Sequence, residues 1–234
     1  MPAKRTTRKL PVISAADATV FRRLLHAWYR KHSRDLPWRT TRDPYRILVS
    51  ELMLQQTQVS RVLDFYARFL ERFPTLDALA DARPKRVMEA WQGLGYYARA
   101  RNLHKLARHV TTACDGVIPD TPNMLRELPG IGAYTAGAVA SFAYEKRAAL
   151  VDTNVARVLH RVFAPTLKPK SSAGQRALWA MAEQLLPRTG KLTWTHNQAM
   201  MELGALVCSA RSPKCAGCPV RSVCNSADTF GSSA

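Results

Sequence analysis

Four of the chain's five cysteines, Cys208, Cys215, Cys218 and Cys224, stand within seventeen residues in the pattern Cys-x6-Cys-x2-Cys-x5-Cys. Four thiolates on so short a segment suit one compact centre with sulfur ligands. Structural zinc sites usually pair two Cys-x2-Cys knuckles. Here one such pair sits between two longer arms, which suits a structural [4Fe–4S] cluster better and leaves zinc as the alternative. Disulfides are the third use of clustered cysteines, and they belong to oxidising compartments. The start of the chain, Met1-Pro-Ala-Lys-Arg, is basic and lacks the apolar stretch of a secretory signal, so metal is expected. In such a segment the energy of metal binding is folding energy. Arg211, Lys214 and Arg221 lie among these cysteines and would make the loop a phosphate contact, while Cys114 stands apart and reads as an ordinary thiol.

Two carboxylates also have the setting for chemistry. Glu51 lies in the largely apolar run Leu48-Val-Ser-Glu-Leu-Met-Leu54. A carboxyl withdrawn from water there keeps its proton more readily and can donate it near neutral pH; a solvent-facing helix residue is the plainer alternative. Asp152, in Leu150-Val-Asp-Thr-Asn-Val155, immediately precedes a helical pattern, where capping that helix competes with catalysis as its role. A third motif is Leu128-Pro-Gly-Ile-Gly132. A helix cannot run through Pro129 and Gly130, and glycines at 130 and 132 can take positive φ. They would open backbone amides, at the start of the next helix, to a phosphate. A simple glycine-capped helical corner is the competing interpretation.

The elements that must carry these groups read as helices throughout. Asp43-Pro44 and Thr121-Pro122 each pair a cap residue with a proline at the first helical position. Leu48, Leu52, Val59, Val62, Leu63, Tyr66 and Leu70 recur at helical spacing, interrupted by the polar run Gln55-Gln-Thr-Gln58. Further helices are expected from Pro84 to the Gly93-Leu-Gly95 turn, from Tyr97 towards Val110, from Ala133, from Gln175 to Leu186 and from Asn197 to Val207, with an exposed connector over residues 164–174. The fold class is all-α. The composition, 47% hydrophobic, excludes collagen-like and disordered chains. No apolar run approaches the roughly 18 residues of a membrane span, so a soluble, intracellular protein is expected. Thirty-five Lys and Arg against seventeen Asp and Glu leave 35 − 17 = +18, an excess that favours a polyanion, nucleic acid above all.

Taken together, Leu36-Pro-Trp-Arg39, Ser50-Glu-Leu-Met-Leu-Gln-Gln-Thr-Gln-Val59, Trp91-Gln-Gly-Leu-Gly-Tyr-Tyr-Ala-Arg-Ala-Arg-Asn102, Leu128–Gly132, Val151-Asp-Thr-Asn-Val-Ala-Arg-Val158 and the cysteine spacing closely resemble the MutY-type adenine DNA glycosylases. The resemblance covers roughly residues 16–226. It implies the bilobal helix-hairpin-helix glycosylase fold, with double-stranded DNA carrying a mispair bound across the cleft. Residues 36–147 would form a six-helix barrel lobe containing the hairpin. Residues 16–35 and 148–226 would form an iron–sulfur lobe, with a basic tail over 1–15 and a second tail over 227–234. Glu51 matches the general acid that protonates adenine at N7. Asp152 matches the carboxylate that stabilises or captures the sugar cation, and Asn154 a residue supporting it. Tyr134 stands where endonuclease III relatives carry a lysine nucleophile, which implies base release without strand cleavage. Gln55, Gln56, Thr57, Leu94 and Tyr96 resemble the residues that probe the duplex and the opposite base, alongside Gly130 and Gly132. Trp38, Arg39 and Gln198 match the pocket of the extruded adenine.

Family members that check for 8-oxoguanine usually carry a further C-terminal domain, whereas this sequence stops soon after Cys224, so the resemblance does not imply discrimination of 8-oxoguanine from guanine. Thr153 stands where glycine is frequent in the family. Tyr134 also occurs in the related G·T-mismatch thymine glycosylases, which are the alternative; a non-catalytic damaged-DNA binder and an iron–sulfur redox sensor are more distant ones. A cytoplasmic, nucleoid-associated monomer completes the expectation.

Overall fold

The computed structural model of the chain describes residues 11–231, all of whose regular elements are helical. They are α1 (Ala15–His32), a 3-10 turn (Pro37–Arg39), α2 (Pro44–Leu54), α3 (Val59–Arg72), α4 (Leu76–Ala80), α5 (Pro84–Ala90), α6 (Ala98–Ala113), α7 (Pro122–Glu127), α8 (Ala133–Phe142), α9 (Thr153–Phe163), α10 (Ser172–Leu185), α11 (Gly190–Leu206), a 3-10 turn (Arg221–Val223) and α12 (Ala227–Gly231). Among the described residues no helix is long and apolar enough to cross a membrane. The caps visible in the sequence start these helices. Asp43 Oδ1 accepts the Tyr45 N–H at 2.8 Å ahead of α2, and Thr121 Oγ1 accepts the Met124 N–H at 3.4 Å ahead of α7, each with proline at the first position.

The chain divides into two compact units. The hairpin unit comprises Arg34–Leu150 and Arg188–Trp194; the cysteine-bearing unit comprises the chain up to Ser33, Val151–Pro187, and the chain from Thr195 on. In the hairpin unit α2 packs against α3, α6 and α8, which makes it the central helix. The ring of Phe69 meets those of Phe73 and Trp91 at 5.0 and 5.7 Å, and all three side chains are fully enclosed. Truncating Trp91 to alanine would cost about 3–5 kcal/mol. In the cysteine-bearing unit α10 packs against α1 and α9, and Phe21 lies edge-on to Phe163 at 5.1 Å.

Three local readings need correction. The apolar stripe from Leu48 to Leu70 belongs to two helices, because the chain turns at Gln55–Gln58 and Gln56 takes φ +56°. α11 begins seven residues before the expected Asn197, at Gly190. Thr189 starts it by accepting the Leu192 N–H on its hydroxyl, and the glycine at the first position disguised that start as a break. At the other end, the tail expected over 227–234 opens with α12, and Arg221 reaches its Asp228 at 3.5 Å. Of the basic tail expected over 1–15, the first ten residues lie outside the described ones, and Ser14 already caps α1.

Candidate active site

In the hairpin unit the crowding of α2 by three neighbours withdraws Glu51 from solvent to 4% exposure. Tyr134, in the first turn of α8, donates its hydroxyl to Glu51 Oε2 at 2.7 Å. Gln55, at the end of α2, donates its side-chain amide to Thr135 Oγ1 at 3.4 Å and ties the same two helices together. Residues 83 positions apart thus form one acid–hydroxyl pair.

The turn after α2 and the turn before α6 present Gln56 and Tyr96 to solvent. Both take the left-handed backbone, at φ +56° and +49°, without being glycine. Such residues cost on the order of 1–3 kcal/mol each and persist where the surroundings over-determine them. Thr57 is half-buried, and Leu94 is only 5% exposed, beneath the turn rather than on it. In the hairpin motif Gly130 takes φ +77°, while Gly132 does not use that freedom: its φ is −90° and its ψ 174°. Gly132 is the extended N-cap of α8, which has no side-chain cap, and a Cβ there would meet nothing within 4 Å. The open amides are therefore left by an uncapped helix start and by one left-handed glycine.

In the cysteine-bearing unit Asp152 caps α9, accepting the Val155 N–H on Oδ1 at 2.7 Å. Its Oδ2 accepts the Asn154 side-chain amide at 2.9 Å. Burial pushes the Asp152 carboxyl above its ordinary range, against the opposing pull of Val155 N–H, Asn154 and Arg157. Asn154 in turn accepts from Arg157 Nη2 at 2.7 Å, and the same guanidinium reaches Gly204 O and Cys208 O at 2.7 Å each. One turn on, Arg161 donates to Ser209 O at 2.7 Å and Ala210 O at 3.0 Å. Gly204 permits this approach of α11 to α9, since a Cβ on it would fall 2.6 Å from that of Asn154.

Cys208, Cys215, Cys218 and Cys224 line one cavity, together with Val158, Val162, Leu203 and Val220; its empty volume is about 420 Å³, part of it open to solvent. All four are free thiols, and among the described residues no three Cys, His, Asp or Glu side chains are drawn into single-ion geometry. Burial raises the Cys224 thiol and pushes Cys218 up to about 11, so a bound cation must displace their protons. Four thiols with apolar neighbours around one cavity supply the donor set of an iron–sulfur cluster. Arg211, Lys214 and Arg221 are exposed on the same loop, and Arg221 pairs with Asp228.

The residues expected around an extruded base fall in both units. Trp38 is 5% exposed and packs edge-on to Tyr66 at 5.4 Å, while Arg39 donates to Arg34 O at 3.0 Å in the same unit. Gln198 is buried on α11 in the cysteine-bearing unit. The structure thus brings Glu51 to Tyr134 in one unit and Asp152 to Asn154 in the other. Sequence reasoning missed the supporting arginines Arg99, Arg157 and Arg161. The last two follow Thr153 at intervals of four on α9, a spacing that marks one helical face.

Residues 49–184 match the HhH-GPD superfamily of base excision DNA repair proteins, and the chain belongs to that superfamily. It is 46% identical over 227 residues to the adenine DNA glycosylase of Rattus norvegicus, covering 92% of this chain and 43% of that protein. It is 47% identical over 197 residues to the adenine DNA glycosylase of Mycolicibacterium smegmatis, covering 84% of this chain and 66% of that one. The chain thus spans well under half of the rat relative. Among solved structures, a thermostable thymine-DNA glycosylase superposes with a TM-score of 0.83 at 31% identity, covering 92% of this chain and 98% of that one.

Proposed function

We propose that the chain is a monofunctional adenine DNA glycosylase that removes adenine mispaired with 8-oxoguanine or guanine from double-stranded DNA. The observation that carries the reading is the buried Glu51 with the Tyr134 hydroxyl on its Oε2 at 2.7 Å, an acid held beside a hydroxyl rather than an amine. The target base is inaccessible in the stack, so the enzyme first extrudes it at a cost of a few kcal/mol. Gln56 and Tyr96, exposed and fixed, fill the vacated stack, with Gln55, Thr57 and Leu94 supporting them. Trp38, Arg39 and Gln198 hold the extruded adenine. Glu51 protonates adenine at N7; the C1′–N9 bond breaks with its electron pair leaving on the base. Asp152 stabilises the oxocarbenium-like sugar or captures it covalently, Asn154 orients it, and water completes hydrolysis at C1′. With tyrosine at 134 no Schiff base forms, so the sugar–phosphate strand stays intact. Gly130 and the α8 amides beyond Gly132 hold a phosphate.

Cys208, Cys215, Cys218 and Cys224 would hold a [4Fe–4S] cluster, which when bound supplies structural cross-linking of the segment from Cys208 to Ser226. The protein works as a monomer, in the cytoplasm on the nucleoid. Identities of 46% and 47% to adenine glycosylases, against 31% to the thymine-specific structure, support adenine over thymine. The test is single-turnover cleavage of end-labelled duplexes carrying A opposite 8-oxoguanine, A opposite G and T opposite G, each with and without alkali. Alkali-dependent breaks at adenine are expected. Breaks at thymine, or breaks without alkali, would overturn the assignment.

A further inference from the structure

Arg99, in the first turn of α6, is 7% exposed and has no carboxylate partner among the described residues. Its Nη1 donates to the carbonyls of Leu52 at 3.0 Å, Met53 at 2.8 Å and Gln55, and to Thr57 Oγ1 at 3.1 Å. Its Nη2 donates to the carbonyls of Gly95 at 3.0 Å and Leu94 at 3.5 Å, and its Nε to that of Tyr96 at 3.4 Å. The guanidinium carbon lies 5.5 Å from the centre of the Trp91 ring and 5.3 Å from that of Tyr96. One side chain therefore spans two turns distant in sequence. On one side it satisfies the orphan carbonyls at the end of α2, where a cation is favoured by the helix dipole. On the other it holds the turn that ends in Tyr96. Gln56 and Tyr96, both exposed and both with left-handed backbone, each lie beside or at a carbonyl that this group binds. Only a planar fork of donors can serve both directions; a lysine ammonium in its place reaches one.

We propose that Arg99 is a positioning residue for entry into the duplex: it sets the backbones of Gln56 and Tyr96 together, so that both side chains meet the base stack in one fixed geometry. The proposal rests on the glycosylase reading for its consequence, but its structural half can be measured without activity. Hydrogen exchange on the intact chain is compared between the unsubstituted protein and Arg99→Lys. Residues 55–58 and 93–97 are expected to lose protection together while the rest of the chain keeps its own. Loss confined to one turn overturns the proposal, as does loss everywhere, which would make Arg99 a general support of the fold. Base release, corrected for active fraction by burst amplitude, is then measured on two substrates. One has adenine opposite guanine; the other has adenine opposite an abasic site, where less stacking opposes extrusion. Arg99→Lys is expected to slow the first on the order of 100-fold and the second by less than about 3-fold. Added methylguanidinium is expected to restore part of the lost rate to Arg99→Ala. Equal slowing on both substrates, or none, overturns the proposal. If the unsubstituted protein releases no adenine at all, the proposed activity falls and the exchange comparison alone decides the role of Arg99.

Discussion

Glu51 and Asp152 are both acids withdrawn from water, and they are held by opposite means. Glu51 sits within the central helix of the hairpin unit and takes a hydrogen bond from a phenol on α8. Asp152 sits at the start of a helix and takes its bonds from the Val155 amide and from Asn154, which is itself fixed by Arg157. Amides, a helix N-terminus and a donated hydroxyl all favour a carboxylate, while burial favours the proton, and at Asp152 burial prevails. Position on the helix therefore decides which donors each carboxyl finds. The supports differ too, since Asp152 leans through Asn154 and Arg157 on the carbonyl of Cys208.

Removal of the proposed iron–sulfur cluster should break that comparison most completely. Chelation under reducing conditions is expected to unfold the segment after Leu206 and to abolish base release, while hydrogen-exchange protection of α2, α6 and α8 continues to report a folded hairpin unit. Loss of both units in one transition would contradict the separate supports. Asp152→Asn comes next. Asparagine still caps a helix, so melting should change little, but single-turnover base release should fall on the order of 10³-fold or more while mispair binding persists. Turnover within tenfold of the unsubstituted protein would remove Asp152 from the chemistry.

The pH dependence should also divide by unit. His196 is fully enclosed against His26, their ring nitrogens 3.4 Å apart, with Arg22 and Arg30 adding to the cationic field around the pair. Burial, then His26 and Arg22, pushes His196 down to about 3. The unfolded chain binds its proton near pH 6.5, so between these values it holds more protons than the fold. Stability is then complete above about 6.5 and is lost towards 3 as pH falls, by roughly 1.4 kcal/mol per pH unit. Calorimetric melts from pH 7 to 4.5 should show that slope, and His196→Leu should flatten it. Smallest is Tyr134→Phe, which leaves Glu51 without its phenol; base release should slow about 10-fold, the equivalent of ~1.4 kcal/mol. An unchanged rate would mean that the phenol serves packing alone.

Much of this was legible in the sequence for local reasons. Asp43-Pro44, Thr121-Pro122 and Leu128–Gly132 state their own punctuation, and the cysteine spacing singled out its four residues. Periodicity could not say that Glu51 faces inward, because most of its neighbours on that helix are apolar and the pattern does not single out one rotation. The positive φ of Gln56 and Tyr96 was invisible, since neither residue prefers it and the cause is Arg99, more than forty positions from Gln56. Gly132 shows the reverse: composition permitted a conformation that the helix start did not require.

Gly204 carries a consequence for variation in this chain. It lies outside every catalytic motif, yet one added carbon would press 2.6 Å from the Cβ of Asn154, the residue that orients Asp152. The distance between two helices is thus part of the aim of a carboxylate, and the gauge of that distance is a missing methyl group. A saturation screen for repair should find position 204 as intolerant of exchange as Asp152 itself. Broad tolerance there would show that α11 yields without moving its neighbour.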